Sequence, residues 1–91
     1  MMFYLVSYDI PDDKKRTKMA KTLRDFGERV QLSVFECILD DILLKRMISR
    51  VTKIISEDDS VRVYALCAKC QELIKVFGRG TVVKDENVFI L

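Results

Sequence analysis

Phe3 to Ile10, FYLVSYDI, alternates so that Phe3, Leu5, Ser7 and Asp9 share one face of a strand and Tyr4, Val6, Tyr8 and Ile10 share the other. Both faces are largely apolar near its start, so this strand needs cover on both sides, which few architectures provide. Pro11, Asp12 and Asp13 follow as helix-start residues, because proline fixes φ where no N–H is needed and aspartate accepts from the free amides of a first turn. Met19, Ala20, Leu23 and Phe26 then recur at helical spacing, and Gly27 is the expected left-handed stop.

Arg29 to Leu39, RVQLSVFECIL, reads as two strands joined by a tight turn or bulge near Leu32 and Ser33. Asp40 and Asp41 cap the next helix, whose apolar stripe is Leu44, Met47, Ile48, Val51, Ile54 and Ile55. After a loop at Ser56–Ser60 come a strand at Val61–Cys67, a helical turn near Lys69–Glu72, a strand near Ile74–Phe77, a turn at Gly78-Arg79-Gly80 and a terminal strand at Val88–Leu91. The order strand, helix, two strands, helix, strand is the ferredoxin-like split βαβ pattern of the α+β class, with a further strand appended at the C-terminus. Two helices of about 15 residues cover one face of such a sheet, so a two-fold homodimer is expected to cover the other.

The 91 residues are expected to form one domain. No apolar run approaches the ~20 residues that span a bilayer and nothing reads as a signal peptide, so a membrane location is not expected. Three cysteines fit a reducing cytoplasm better than a disulfide framework. The net charge of +2 hides an asymmetry: Lys14, Lys15, Arg16, Lys18, Lys21, Arg24 and Arg29 face only Asp25 and Glu28, a local balance of +5 that leaves −3 elsewhere. A cationic helix of this kind suits a phosphate backbone, although a solvated face has the same composition.

Asp9 is the leading candidate for chemistry. A hard cation such as Mg²⁺ takes carboxylate oxygens, and a dimer axis near the ends of the first strands would bring two Asp9 side chains to one ion. By spacing alone, a turn or capping role for Asp9 is equally open, and Asp12 and Asp13 read first as caps. Arg16 and Arg29 are candidate phosphate clamps, since guanidinium is a bidentate donor. Tyr8 and Phe35 offer rings that either stack on a base or pack in the core. Cys67-Ala68-Lys69-Cys70 has the spacing of a zinc or redox pair, but with Cys37 the only other cysteine and no histidine, one chain cannot assemble a four-ligand site. The plain reading is two small, semi-buried thiols near a strand end. The absence of histidine also excludes histidine general-base catalysis, and there is no P-loop or dinucleotide fingerprint.

Tyr8-Asp9-Ile10 with the following Asp12-Asp13 and basic helix, the run Gly27-Glu-Arg-Val-Gln-Leu-Ser-Val-Phe-Glu-Cys37, and Leu66-Cys-Ala-Lys-Cys70 closely resemble the CRISPR-associated protein 2 family over essentially the whole chain. The resemblance implies a ferredoxin-like protomer and a homodimer in which the C-terminal segment, residues 79–91, extends the partner's sheet. It implies that Asp9 binds Mg²⁺ (or Mn²⁺) at the dimer interface, and that Tyr8, Arg16, Arg29, Ser33 and Phe35 belong to a nuclease site or its surroundings. Lys18 stands where the family often has arginine, which keeps charge but loses bidentate geometry. Members are described as metal-dependent endonucleases acting on single-stranded RNA or double-stranded DNA, and as a non-catalytic bridge between dimers of the larger CRISPR integrase. A small-molecule-sensing module shares the fold by analogy alone and would lack salt-sensitive affinity for nucleic acid.

Overall fold

The computed structural model describes residues 1–83, and the expected terminal strand at 88–91 lies outside them. In chain order the elements are β1 (Met2–Asp9), α1 (Asp13–Leu23), β2 (Glu28–Gln31), β3 (Val34–Leu39), α2 (Asp41–Thr52), β4 (Ser60–Leu66) and a short α3 (Ala68–Glu72). The sheet order is β2-β3-β1-β4, with every neighbouring pair antiparallel. This is the expected ferredoxin-like topology, with β1 central because its two apolar faces demand it.

Asp12 and Asp40 start the two long helices. Asp12 accepts from the Lys15 amide at 2.9 Å and Asp40 from the Leu43 amide at 2.8 Å. The helices lay Met19, Ala20, Leu23, Met47 and Val51 onto one face of the sheet, where Tyr4, Val6, Tyr8, Phe35, Cys37 and Leu39 complete the core. Both are shorter than expected, at 11 and 12 residues. The chain leaves α1 after Leu23, so Phe26 packs on the core from the connection to β2.

Gly27 is not the left-handed stop expected of it, because among the described residues positive φ occurs only at Gly78 and Gly80. Its reason is proximity: a Cβ there would sit 2.9 Å from Cys37 Cα and closer still to the Glu36 carbonyl oxygen. Ile74–Phe77 is also corrected, since it forms no strand and leaves Leu73, Val76 and Phe77 exposed. The apolar pattern is there, but within the described residues the segment has no neighbouring strand to complete a ladder.

The helix-free face carries Phe3, Leu5 and Ser7 from β1, Val34, Glu36 and Ile38 from β3, and Arg62, Tyr64 and Leu66 from β4. It is only partly covered. The short α3 packs near β1 and β4, and the Val83 amide donates to Glu36 Oε1 at 3.0 Å, which gives that buried carboxylate a partner. Tyr64 remains 44% exposed.

Candidate functional site

The turn after β1 is held by Arg16. Its Nη1 donates to the Ile10 and Pro11 carbonyls at 2.9 and 2.7 Å, and its Nη2 pairs with the Asp13 carboxylate. The turn between β2 and β3 is held in a similar way. Arg29 directs Nε and Nη2 onto the Leu32 carbonyl at 3.0 and 2.7 Å, the Tyr8 hydroxyl donates to the same oxygen at 3.2 Å, and the Tyr8 amide donates to the Ser33 carbonyl at 3.1 Å. Of the two joints anticipated near Leu32 and Ser33 the structure has the turn, and a register shift between Arg29 and Gln31 lies upstream of it within β2.

Tyr8, Arg16, Arg29 and Ser33 thereby line one cleft of about 540 Å³ between α1 and the β2–β3 turn. Phe35 lies beneath it, fully buried, with its ring 6.4 Å from that of Tyr8 and inclined by 29°. Both rings are committed to the core, and only the tyrosine hydroxyl reaches the turn. Asp13 and Arg24 also line the cleft. Arg24 is a residue that helical spacing identifies, since it stands two turns beyond Arg16 on the same side of α1.

The guanidinium groups expected to clamp phosphate thus spend much of their donor capacity on backbone carbonyls beside Asp9 and Ser33. They position these turns. We expect Tyr8→Phe, which leaves Leu32 its arginine donors, to cost about 1 kcal/mol in urea unfolding. Combining it with Arg29→Lys should cost more than the two changes separately, because both act on one carbonyl.

Asp9 stands apart from this cleft. It ends β1 opposite Ser60, exposed, and alternation places it on the helix-free face of the sheet. The three ion pairs among the described residues use Asp13, Asp25 and Asp59, not Asp9. Nearby, Lys15 Nζ reaches from α1 to Ser56 Oγ at 2.6 Å and Asp59 at 3.1 Å, tying the helix to the loop that enters β4. The Ser56 amide, together with Lys15, holds the Asp59 carboxyl below the usual carboxylate range. Within one protomer, no three histidine, cysteine, aspartate or glutamate side chains of the described residues cluster as a metal site. A cation held at Asp9 would therefore need further oxygen ligands from outside any such cluster.

Lys18 lies outside the cleft, on the exposed surface of α1. Lys14, Lys18, Lys21 and Arg24 are all exposed and absent from the ion pairs found among the described residues, so the helix presents a cationic surface. Cys37 is buried against Gly27, and burial, with Glu36 adjacent, pushes its thiol up to about 11. Cys67 and Cys70, expected to be semi-buried, are exposed, at the end of the edge strand β4. No helix among the described residues is long and apolar enough to cross a membrane.

An antiparallel sheet with a carboxylate at the end of its first strand and a cationic first helix define a small α+β protein of the ferredoxin-like class. The family model described as CRISPR associated protein Cas2 matches residues 2–74, and the chain belongs to that family. A Chloroflexus aurantiacus relative called CRISPR-associated endoribonuclease Cas2 1 is 43% identical over 81 residues, covering 87% of each chain. The crystal structure of Streptococcus pyogenes Cas2 at pH 6.5 is similar with a TM-score of 0.75 and 36% identity, covering 85% of this chain and 100% of that one. A chain of a partial Cas6-RT-Cas1–Cas2 complex is similar with a TM-score of 0.73 and 31% identity, covering 84% of this chain and 90% of the other.

Proposed function

We propose that this chain acts in CRISPR spacer acquisition as a two-fold dimer that cleaves nucleic-acid phosphodiester bonds, with the paired Asp9 carboxylates holding one Mg²⁺ or Mn²⁺. The observation that carries this reading is the position of Asp9: exposed, outside the ion pairs found, and at the polar end of a mixed sheet face only partly covered within the protomer. Burying that face against a second copy brings two such strand ends toward one axis. A carboxylate is the oxygen donor a hard divalent cation prefers, so the residue fits the group. When bound, the cation supplies Lewis acidity toward phosphate and lowers the pKa of water.

The protein's own part is placement. Arg16 fixes the Ile10 and Pro11 carbonyls immediately after Asp9, so the carboxylate stands on a braced turn. Tyr8 anchors the preceding residue through both its amide and its hydroxyl. The exposed cations of α1, including Lys18, attract the polyanion without regard to sequence. Residues 79–91 are proposed to extend the partner's sheet at β4, the edge strand that begins opposite Asp9 in register.

A second reading has the same dimer bridge integrase dimers without cutting. It is supported by the likeness to a chain of a complex containing Cas1 and Cas2, and by the engagement of Arg16 and Arg29 with carbonyls instead of an open phosphate site. Metal removal separates the two. With Mg²⁺, single-stranded RNA or double-stranded DNA should be cut, and excess chelator should abolish cutting while salt-sensitive binding persists. Binding with no cutting of either substrate under any divalent ion would establish the scaffold in place of the nuclease.

A further inference from the structure

The structure leaves one pair of nucleophiles unused by the reading above. Cys67 lies between β4 and α3 as the N-cap of the short helix, and Cys70 lies within the first turn that follows. Both are exposed, and the Cys70 amide nitrogen is 3.4 Å from Cys67 Sγ, so the backbone turns the second cysteine back toward the sulfur of the first. We propose that Cys67 and Cys70 are a redox-active dithiol that closes reversibly to an intramolecular disulfide by exchange with the disulfide of a low-molecular-weight thiol, Cys67 attacking and Cys70 resolving.

In the first step the Cys67 thiolate attacks one sulfur of the small disulfide, forms a mixed disulfide and expels one small thiolate. In the second the Cys70 thiolate attacks Cys67 Sγ, forms the internal bond and expels the other small thiolate. Two cysteines are oxidised and one disulfide is reduced to two thiols. Protons lost by the protein thiols are balanced by those the small thiolates take up.

Order of attack follows from the turn. The Cys70 amide, and then the Cys70 thiol, donate to the Cys67 sulfur, which stabilises the Cys67 thiolate and lowers its pKa. The same contact works in the opposite sense on Cys70, because a thiol that donates its proton to a neighbouring sulfur holds that proton more firmly. Once Cys67 is capped in the mixed disulfide it no longer bears negative charge, and this restraint on Cys70 ends. The third cysteine cannot compete: Cys37 is fully buried and its thiol is held up at about 11. A disulfide between residues of one helical turn also requires little chain movement, unlike a bridge that would draw separate elements together.

The full-length reduced chain, incubated near neutral pH with glutathione disulfide and followed by mass spectrometry, tests the pair. The expected product has lost two hydrogens, retains one alkylatable cysteine, carries no glutathione and shows no interchain disulfide on a non-reducing gel. Cys70→Ser should accumulate a glutathione adduct at Cys67, and Cys67→Ser should react on the order of 10-fold more slowly. Both positions are exposed, so circular dichroism should show the fold retained in each variant. A stable glutathione adduct on the unmodified chain, an interchain disulfide, no reaction, or equal rates for the two variants would each overturn the proposal.

Discussion

Gly27→Ala is expected to destabilise the protein by about 3 kcal/mol or more, at the upper end of what overpacking costs. The clash cannot be relieved by a side-chain rotation alone. Two of the three atoms nearest the new methyl group, the Glu36 carbonyl oxygen and Cys37 Cα, belong to the backbone of β3. That strand lies between β2 and β1, with Cys37 paired to Tyr4, so retreat would disturb the ladder at the centre of the sheet. For a domain of this size the melting temperature should fall by something on the order of 15 °C. The third atom is Cys37 Sγ, so adding Cys37→Ala should recover only part of the loss. Gly78→Ala is the contrasting substitution. It has positive φ and nothing within 4 Å of a new Cβ, so its cost is the local backbone penalty of about 1 kcal/mol. Thermal or urea unfolding that showed Gly27→Ala no worse than Gly78→Ala would refute the packing account.

That glycine shows where sequence reading stops. A residue's local signals were legible: the alternation of β1, the Asp12 and Asp40 caps, and the division of RVQLSVFECIL into two strands all follow from near neighbours along the chain. Gly27 follows a helix and so looks like a stop, yet its constraint comes from Glu36 and Cys37 of β3, nine and ten residues later. Arg16 and Arg29 pose the same problem in chemical form. A guanidinium advertises a planar set of donors but not its acceptor, and here backbone carbonyls fill much of that role. Ile74–Phe77 has the composition of a strand, but a strand exists only beside another. Tyr8, Arg16, Arg29 and Ser33, grouped in the sequence by the family resemblance, line one cleft, while Asp9 and Lys18 lie outside it.

The separation of Asp9 from the arginine cleft makes Asp9→Asn the sharpest test of the proposed chemistry. Asparagine is nearly the same size, and Asp9 is exposed and outside the ion pairs found, so the fold should be unchanged. In the proposed dimer the change removes both charges that would be offered to the cation. Lewis-acid stabilisation is worth several kcal/mol, so cleavage should fall by roughly 10²-fold or more. Binding to nucleic acid should persist, because it rests on the α1 cations, and its decline with salt should be unaltered. Dimerisation supplies a further readout. Without metal, facing carboxylates repel, so the Asn variant should associate at least as tightly as the unmodified chain. Added Mg²⁺ should raise the melting temperature of the unmodified dimer and not that of the variant, since a ligand stabilises only the state it binds. Undiminished cleavage by Asp9→Asn would assign the activity to other residues or another protein. A stable monomer in sedimentation would remove the second carboxylate, and with it the physical basis for a cation at the end of β1.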